Sequence, residues 1–133
     1  MKTFLIDDDP LSNYLTEHLL RAERFTSLIS TFESAQDALK ILQQQPAAEL
    51  PRVIFLDLNM PVMNGWQFLD ALTPWAAKLQ GRCHIFVLTS SLALSDMEKA
   101  QTYELVDGLI HKPIDRAEIR AIRSRLTEEA GAA

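Results

Sequence analysis

Five short apolar runs, each followed by a longer stretch with helical spacing, constrain this chain more than any other feature. The runs are Phe4-Leu5-Ile6, Leu28-Ile29, Val53-Ile54-Phe55-Leu56, Ile85-Phe86-Val87-Leu88 and Leu109-Ile110. Several are rich in β-branched or aromatic residues, and they read as buried strands. Behind the first, Leu11, Leu15 and Leu19 recur at four-residue intervals after Asp9-Pro10, an N-cap followed by proline at the first helical position. Ser34, with Asp37 three residues on, starts a second helix through Ala38, Leu39 and Leu42. Gly65 opens a third through Trp66, Phe68, Leu69 and Leu72; Thr73-Pro74 then breaks it or begins a short extra helix, because proline removes a donor and clashes inside a helix. Ser95 is placed to cap a fourth helix carrying Met97, Ala100 and Tyr103. Asp115 with Glu118 resembles a capping box for a fifth, with Ile119, Ile122 and Leu126 on its inner face.

Strand followed by helix, five times over, argues for an α/β fold in which a doubly wound parallel sheet is covered by helices on both faces, since parallel neighbours need crossover connections. In such open sheets ligands bind beyond the carboxyl ends of the strands. Polar residues collect there. The first run ends in Asp7-Asp8-Asp9, the third in Asp57, the fourth in Thr89-Ser90-Ser91 and the fifth in His111-Lys112-Pro113. Carboxylates gathered from two strands repel one another unless a cation or protons compensate them. Mg²⁺ is a natural compensator, since it prefers oxygen ligands, takes one or two carboxylates and keeps several waters, which leaves room for a phosphate oxygen. The Lys112 ammonium and the Thr89 hydroxyl supply the donors a phosphoryl oxygen needs. Asp9, directly before Pro10, is set aside as a helix cap.

Composition narrows the partners. With 18 acidic residues against 13 basic ones and a formal charge of −5, the chain has no electrostatic footprint for nucleic acid. No run is long enough to span a bilayer, and no signal peptide is legible, so no membrane partner is expected. A single cysteine, Cys83, excludes an internal disulfide framework and suits a reducing compartment, so a cytoplasmic protein is expected. The 133 residues fit one domain, over 1–127, followed by a frayed tail over 128–133 and no output domain.

Four segments, FLIDDDP (4–10), VIFLDLNMPVMNGWQFL (53–69), FVLTSS (86–91) and GLIHKP (108–113), together resemble bacterial two-component response regulator receivers of the single-domain, chemotaxis type, over essentially the whole chain. The resemblance implies a flavodoxin-like five-stranded sheet in the order 2-1-3-4-5. It implies that Asp57 is the phosphoacceptor, that Asp8 binds Mg²⁺ directly and Asp7 mainly through water, and that the backbone carbonyl of Asn59 completes the coordination. Thr89 would bond a phosphoryl oxygen, Lys112 would pair with the phosphoryl group and Asp57, and Pro113 would follow a cis peptide bond. The implied donor is a phosphohistidine on a sensor histidine kinase or histidine phosphotransfer protein. Output would pass to an unidentified protein target or along a phosphorelay, through a face including Ala93, Leu94, Tyr103 and Leu105. Three residues before the lysine the family carries an aromatic that changes its packing on phosphorylation; here that position is Leu109, which leaves Tyr103 as a candidate substitute.

Two other classes stand beside this reading. An aspartate-nucleophile phosphatase of the haloacid dehalogenase type needs a second aspartate two residues after the first, where this chain has Asn59. A receiver-like interaction module that works without phosphorylation is the closer alternative.

Overall fold

The computed structural model describes residues 2–132, with side chains described for residues 2–128; the tail expected over 128–133 lies almost wholly outside the residues whose side chains are described. Five parallel strands, β1 (Lys2–Ile6), β2 (Leu28–Phe32), β3 (Val53–Asp57), β4 (His84–Thr89) and β5 (Val106–His111), form one sheet in the order β2-β1-β3-β4-β5. The crossovers carry helices α1 (Pro10–Ala22), α2 (Ala35–Gln44), α3 (Gly65–Leu72), the single turn α4 (Ala76–Leu79) and α5 (Leu94–Ala100), and α6 (Arg116–Ala132) follows β5. This is the expected order. None of the helices is long and apolar enough to cross a membrane, among the described residues.

Strand parity divides the core in two, because successive side chains of a strand point to opposite faces. Phe4, Ile6, Ile54, Leu56, Ile85 and Val87 face one side, where Ala38, Leu39 and Leu42 of α2 and Phe68, Leu69 and Leu72 of α3 cover them. Leu5, Val53, Phe55, Phe86 and Leu88 face the other, under Leu20 of α1 and Ile119, Ile122 and Leu126 of α6. Each fully buried side chain of this kind contributes roughly 1.5–3 kcal/mol relative to exposure. In β5 the pairing slips by one residue opposite Ile85 and Phe86, so Val106 and Leu109 both pack toward the α2–α3 side. The extra residue is Asp107, which pairs with His84. A bulge of this kind breaks the apolar pattern, which is why only Leu109-Ile110 stands out as a run.

Local signals hold at most helix starts. The Asp9 side chain accepts from Leu11 N at 3.0 Å ahead of Pro10, Ser34 accepts from Asp37 N at 3.4 Å, and Asp115 accepts from Glu118 N at 2.8 Å. Asn64 and Gln67 form a reciprocal capping box at 2.9 Å in both directions, ahead of α3. Two expectations need correction. Ser95 does not cap α5: the cap is Ala93, without a side-chain bond, and Ser95 lies inside the first turn. Tyr103 is not in that helix either, which ends at Ala100; it sits in the turn before β5. The leucine spacing of α1 marks a helix but not its buried face, for Leu11 and Leu15 are exposed while Asn13 and Leu20 are buried.

Candidate functional site

The register of the sheet brings the polar strand ends into one row. Ile6 pairs with Leu56, which sets Asp7 beside Asp57; Asp57 pairs with Leu88, and Thr89 with His111, one residue before Lys112. Asp7, Asp8 and Asp57 offer carboxylate oxygens that all lie within 4.8 Å of one another. The Lys112 ammonium reaches across to Asp7 Oδ2 at 2.6 Å and Asp57 Oδ1 at 3.1 Å, and lies 3.5 Å from the Ser12 hydroxyl. The peptide bond from Lys112 to Pro113 is cis, and Lys112 N donates to the Thr89 carbonyl at 2.8 Å, which ties the end of β5 to that of β4.

Each acidic residue is held differently. Both carboxylate oxygens of Asp7 are engaged, Oδ1 by Asp9 N at 3.0 Å and Oδ2 by Lys112. Asp8 is half-buried and carries no such bond among the described residues. Asp57 is buried, and its carboxyl is raised above the ordinary carboxylate range by burial and by the neighbouring charge of Asp7, against the opposing pull of Lys112. For Lys112, burial works against the ammonium, but the hydrogen bond to Asp7 and the charge of Asp57 outweigh it and raise its pKa. Two or three carboxylates facing one ammonium leave the cluster short of positive charge. Hard oxygen donors with no thiolate or imidazole among them suit Mg²⁺, so the residues present fit that ion.

Thr89 is fully buried, and its hydroxyl oxygen accepts from Ser91 N at 3.0 Å. Asn59 is exposed in the loop between β3 and α3, and its side chain is not drawn into the cluster. His111 bonds the Ser90 carbonyl at 3.2 Å. Gly65 shows what its position requires: a Cβ there would stand 2.7 Å from the Asp57 carbonyl oxygen and 2.9 Å from Leu58 Cα. Its role is close approach, which seats the start of α3 directly under the Asp57 backbone.

Two contributors were not legible in the sequence. Asn13 is a buried polar residue on α1 whose side-chain amide donates to the Asp7 carbonyl at 2.9 Å and to the Phe32 carbonyl at 3.3 Å, pinning the loop that carries the acidic residues. Its only advance signal is that it is polar one turn into an otherwise leucine-rich helix. Beside the site runs a groove of about 260 Å³ between α1 and the segment after β5, lined by Leu15, Leu19, Leu88, Pro113 and Ile114, with Lys112 at its edge. Leu11, Tyr14 and Leu15 stand exposed on α1, and of these Leu15 lines the groove.

Comparison with known proteins points the same way. A family model, that of the response regulator receiver domain, matches residues 3–123. The crystal structure of a two-component response regulator from Cytophaga hutchinsonii superposes with a TM-score of 0.88 at 26% identity, covering 96% of each chain. A response regulator receiver protein from Dyadobacter fermentans does so with a TM-score of 0.83 at 29% identity, covering 97% of each. Among curated proteins, the sensor histidine kinase GacS of Pseudomonas protegens is 22% identical over 121 residues, which is 91% of this chain. The chain spans 12% of that relative's length.

Proposed function

Because this chain belongs to the response regulator receiver family of two-component systems, we propose that it signals by taking a phosphoryl group on Asp57 from a phosphohistidine donor. The observation that carries this reading is the convergence of Asp57 with Lys112 at 3.1 Å and with the carboxylates of Asp7 and Asp8. In the transfer an Asp57 carboxylate oxygen forms a bond to phosphorus in line with the breaking bond from phosphorus to the donor imidazole nitrogen. The imidazole leaves with the electron pair. Lys112 stays paired with Asp57 and meets the negative charge on the transferred oxygens, and the Thr89 hydroxyl donates its proton into a hydrogen bond with one of them.

Mg²⁺, when bound, neutralises charge on the phosphoryl oxygens and on the carboxylates together. Asp8 is the direct ligand in this reading, since Asp7 is already committed to Lys112 and Asp9 N. Asp57 and the backbone carbonyl of Asn59 complete the protein's share. Asp7 would help hold the ion indirectly, through water, and holds Lys112 directly. The phosphoryl group is accepted once per cycle and lost to water, so the chain is a phosphoacceptor and not a conventional enzyme.

The donor in this reading is a sensor histidine kinase or a histidine phosphotransfer protein, met in the cytoplasm. The exposed apolar side chains Leu11, Tyr14 and Leu15 of α1, with Leu15 lining the Lys112 groove, support such a partner: they offer a surface to a helix that presents its histidine to Asp57. The downstream step is contact with a protein target or onward relay of the phosphoryl group.

Incubation with phosphoramidate or acetyl phosphate and Mg²⁺ is expected to add one phosphoryl mass to the chain, and Asp57→Asn to remove it. Absence of the added mass at saturating donor would replace this reading with an interaction module that works unphosphorylated.

A further inference from the structure

Helix α5 is loosely packed for an element so near the site. Of its residues only Ala100 is buried, while Leu94 and Met97 face solvent. Besides its contact with β5, its attachments lie at its two ends. At the start, a chain of side-chain-to-backbone hydrogen bonds hangs from Thr89: Ser91 N donates to the Thr89 hydroxyl at 3.0 Å, and Ala93 N, at the cap of α5, donates to the Ser91 hydroxyl at 3.1 Å. At the other end, the Tyr103 ring stacks on Trp66 of α3, with centroids 5.8 Å apart and planes 18° from parallel. The Tyr103 hydroxyl donates to Asp70 Oδ1 at 2.7 Å, and the Lys99 ammonium lies 4.9 Å from the Trp66 ring centroid. Trp66 directly follows Gly65, whose backbone is pressed against that of Asp57.

The two attachments therefore join α5 to Thr89 on one side and, through α3, to the backbone of the phosphoacceptor on the other. Resting on the phosphoacceptor reading above, we infer that the Tyr103 latch, its ring on Trp66 and its hydroxyl on Asp70, holds α5 in the unphosphorylated arrangement and is released when Asp57 is phosphorylated. Drawing the Thr89 hydroxyl toward a phosphoryl oxygen displaces Ser91 N and Ala93 N with it. A stiff helix of seven residues passes that displacement to its far end, where it works against the latch. Leu109 then needs no aromatic ring, because the reporting aromatic sits earlier in the chain, in the turn before β5, and grips a different helix. The Tyr103 phenol, pushed up to about 12 by burial and by its bond to Asp70, remains a donor at ordinary pH. Tyr103 is thus a positioning residue and takes no part in the chemistry.

Linkage sets the test. If phosphorylation opens the latch, opening the latch must favour the phosphorylated arrangement by the same factor. The probe is beryllofluoride with Mg²⁺, a phosphoryl mimic, titrated into the full chain with Trp75→Phe so that Trp66 alone reports. In that background the mimic is expected to change Trp66 emission. Tyr103→Phe, which keeps the ring and loses the hydroxyl, and Asp70→Ala are expected to bind the mimic about fivefold more tightly, the scale of one lost hydrogen bond. Both should already show part of the emission change without it. Asp70→Asn, which keeps an acceptor oxygen, should behave like the parent. A latch that is only structural would lower stability and leave the affinity for the mimic unmoved, and that result overturns the inference. Binding of the mimic without a Trp66 response overturns it as well while leaving Asp57 as acceptor; no binding together with no phosphoryl mass overturns both.

Discussion

Asp57 is charged against its surroundings. Burial and Asp7 raise its pKa, and Lys112 only partly offsets them. A carboxyl with a raised folded pKa contributes its stability below the ordinary carboxylate range, and that contribution is lost as pH rises through the raised value. At neutral pH without metal, Asp57→Asn is therefore expected to stabilise the fold by about 1 kcal/mol, or about 4 °C in Tm, with the gain disappearing toward acidic pH. Thermal melts across pH in the presence of a chelator measure this directly; a gain that persists at acidic pH would assign the effect to something other than the charge. At the same scale, Gly65 is required for its lack of a side chain, and a sequence shows the glycine without showing what presses on it. The pressing atom is the Asp57 carbonyl oxygen. Asn13 is the converse, a residue with no motif around it that becomes important because the Asp7 and Phe32 carbonyls end beside it.

Among the elements, the helix starts mostly follow short-range chemistry, and the inner faces of α2, α3 and α6 follow the apolar spacing, whereas the face of α1 does not. Asp9, Ser34 and Asp115 cap where their spacing says, because a cap is a bond between residues two or three apart. Ser95 fails as a cap because the backbone turns into α5 sooner, guided by the Ser91 bond to Ala93 N. Removing the box at α3 by Asn64→Ala is expected to cost about 1 kcal/mol by denaturant unfolding. Ile119→Ala, in the fully buried face of α6, is expected to cost about 2–5 kcal/mol in the same assay. In α1 the exposed leucines invert the usual reading of an apolar stripe: the face toward the sheet is supplied by Leu20 with buried Asn13, which leaves Leu11 and Leu15 exposed.

Across the whole molecule, two apolar layers clamp one sheet and leave the acidic row at the carboxyl ends of its inner strands, so the site's charge repulsion is carried by the entire fold. On the proposed metal-site reading, Mg²⁺ would relieve that repulsion in the folded state alone and stabilise by mass action, by about 2.7 kcal/mol at a hundredfold excess over its Kd. The expected outcome is a Tm that rises with Mg²⁺ in the parent and is nearly flat in Asp8→Asn; equal responses in the two would remove Asp8 from the metal site. By itself the sequence determined the strand and helix succession, most caps, and the residue types waiting at each strand end, since these depend on period and on neighbours within a turn. The tertiary structure alone decided that Lys112 meets Asp7 across 105 positions, that Asp107 bulges out of β5, and that Tyr103 reaches Asp70 on α3. Those contacts depend on which strands pair and in what register. Many distant groups compete for each such pairing, and no local pattern records which one wins.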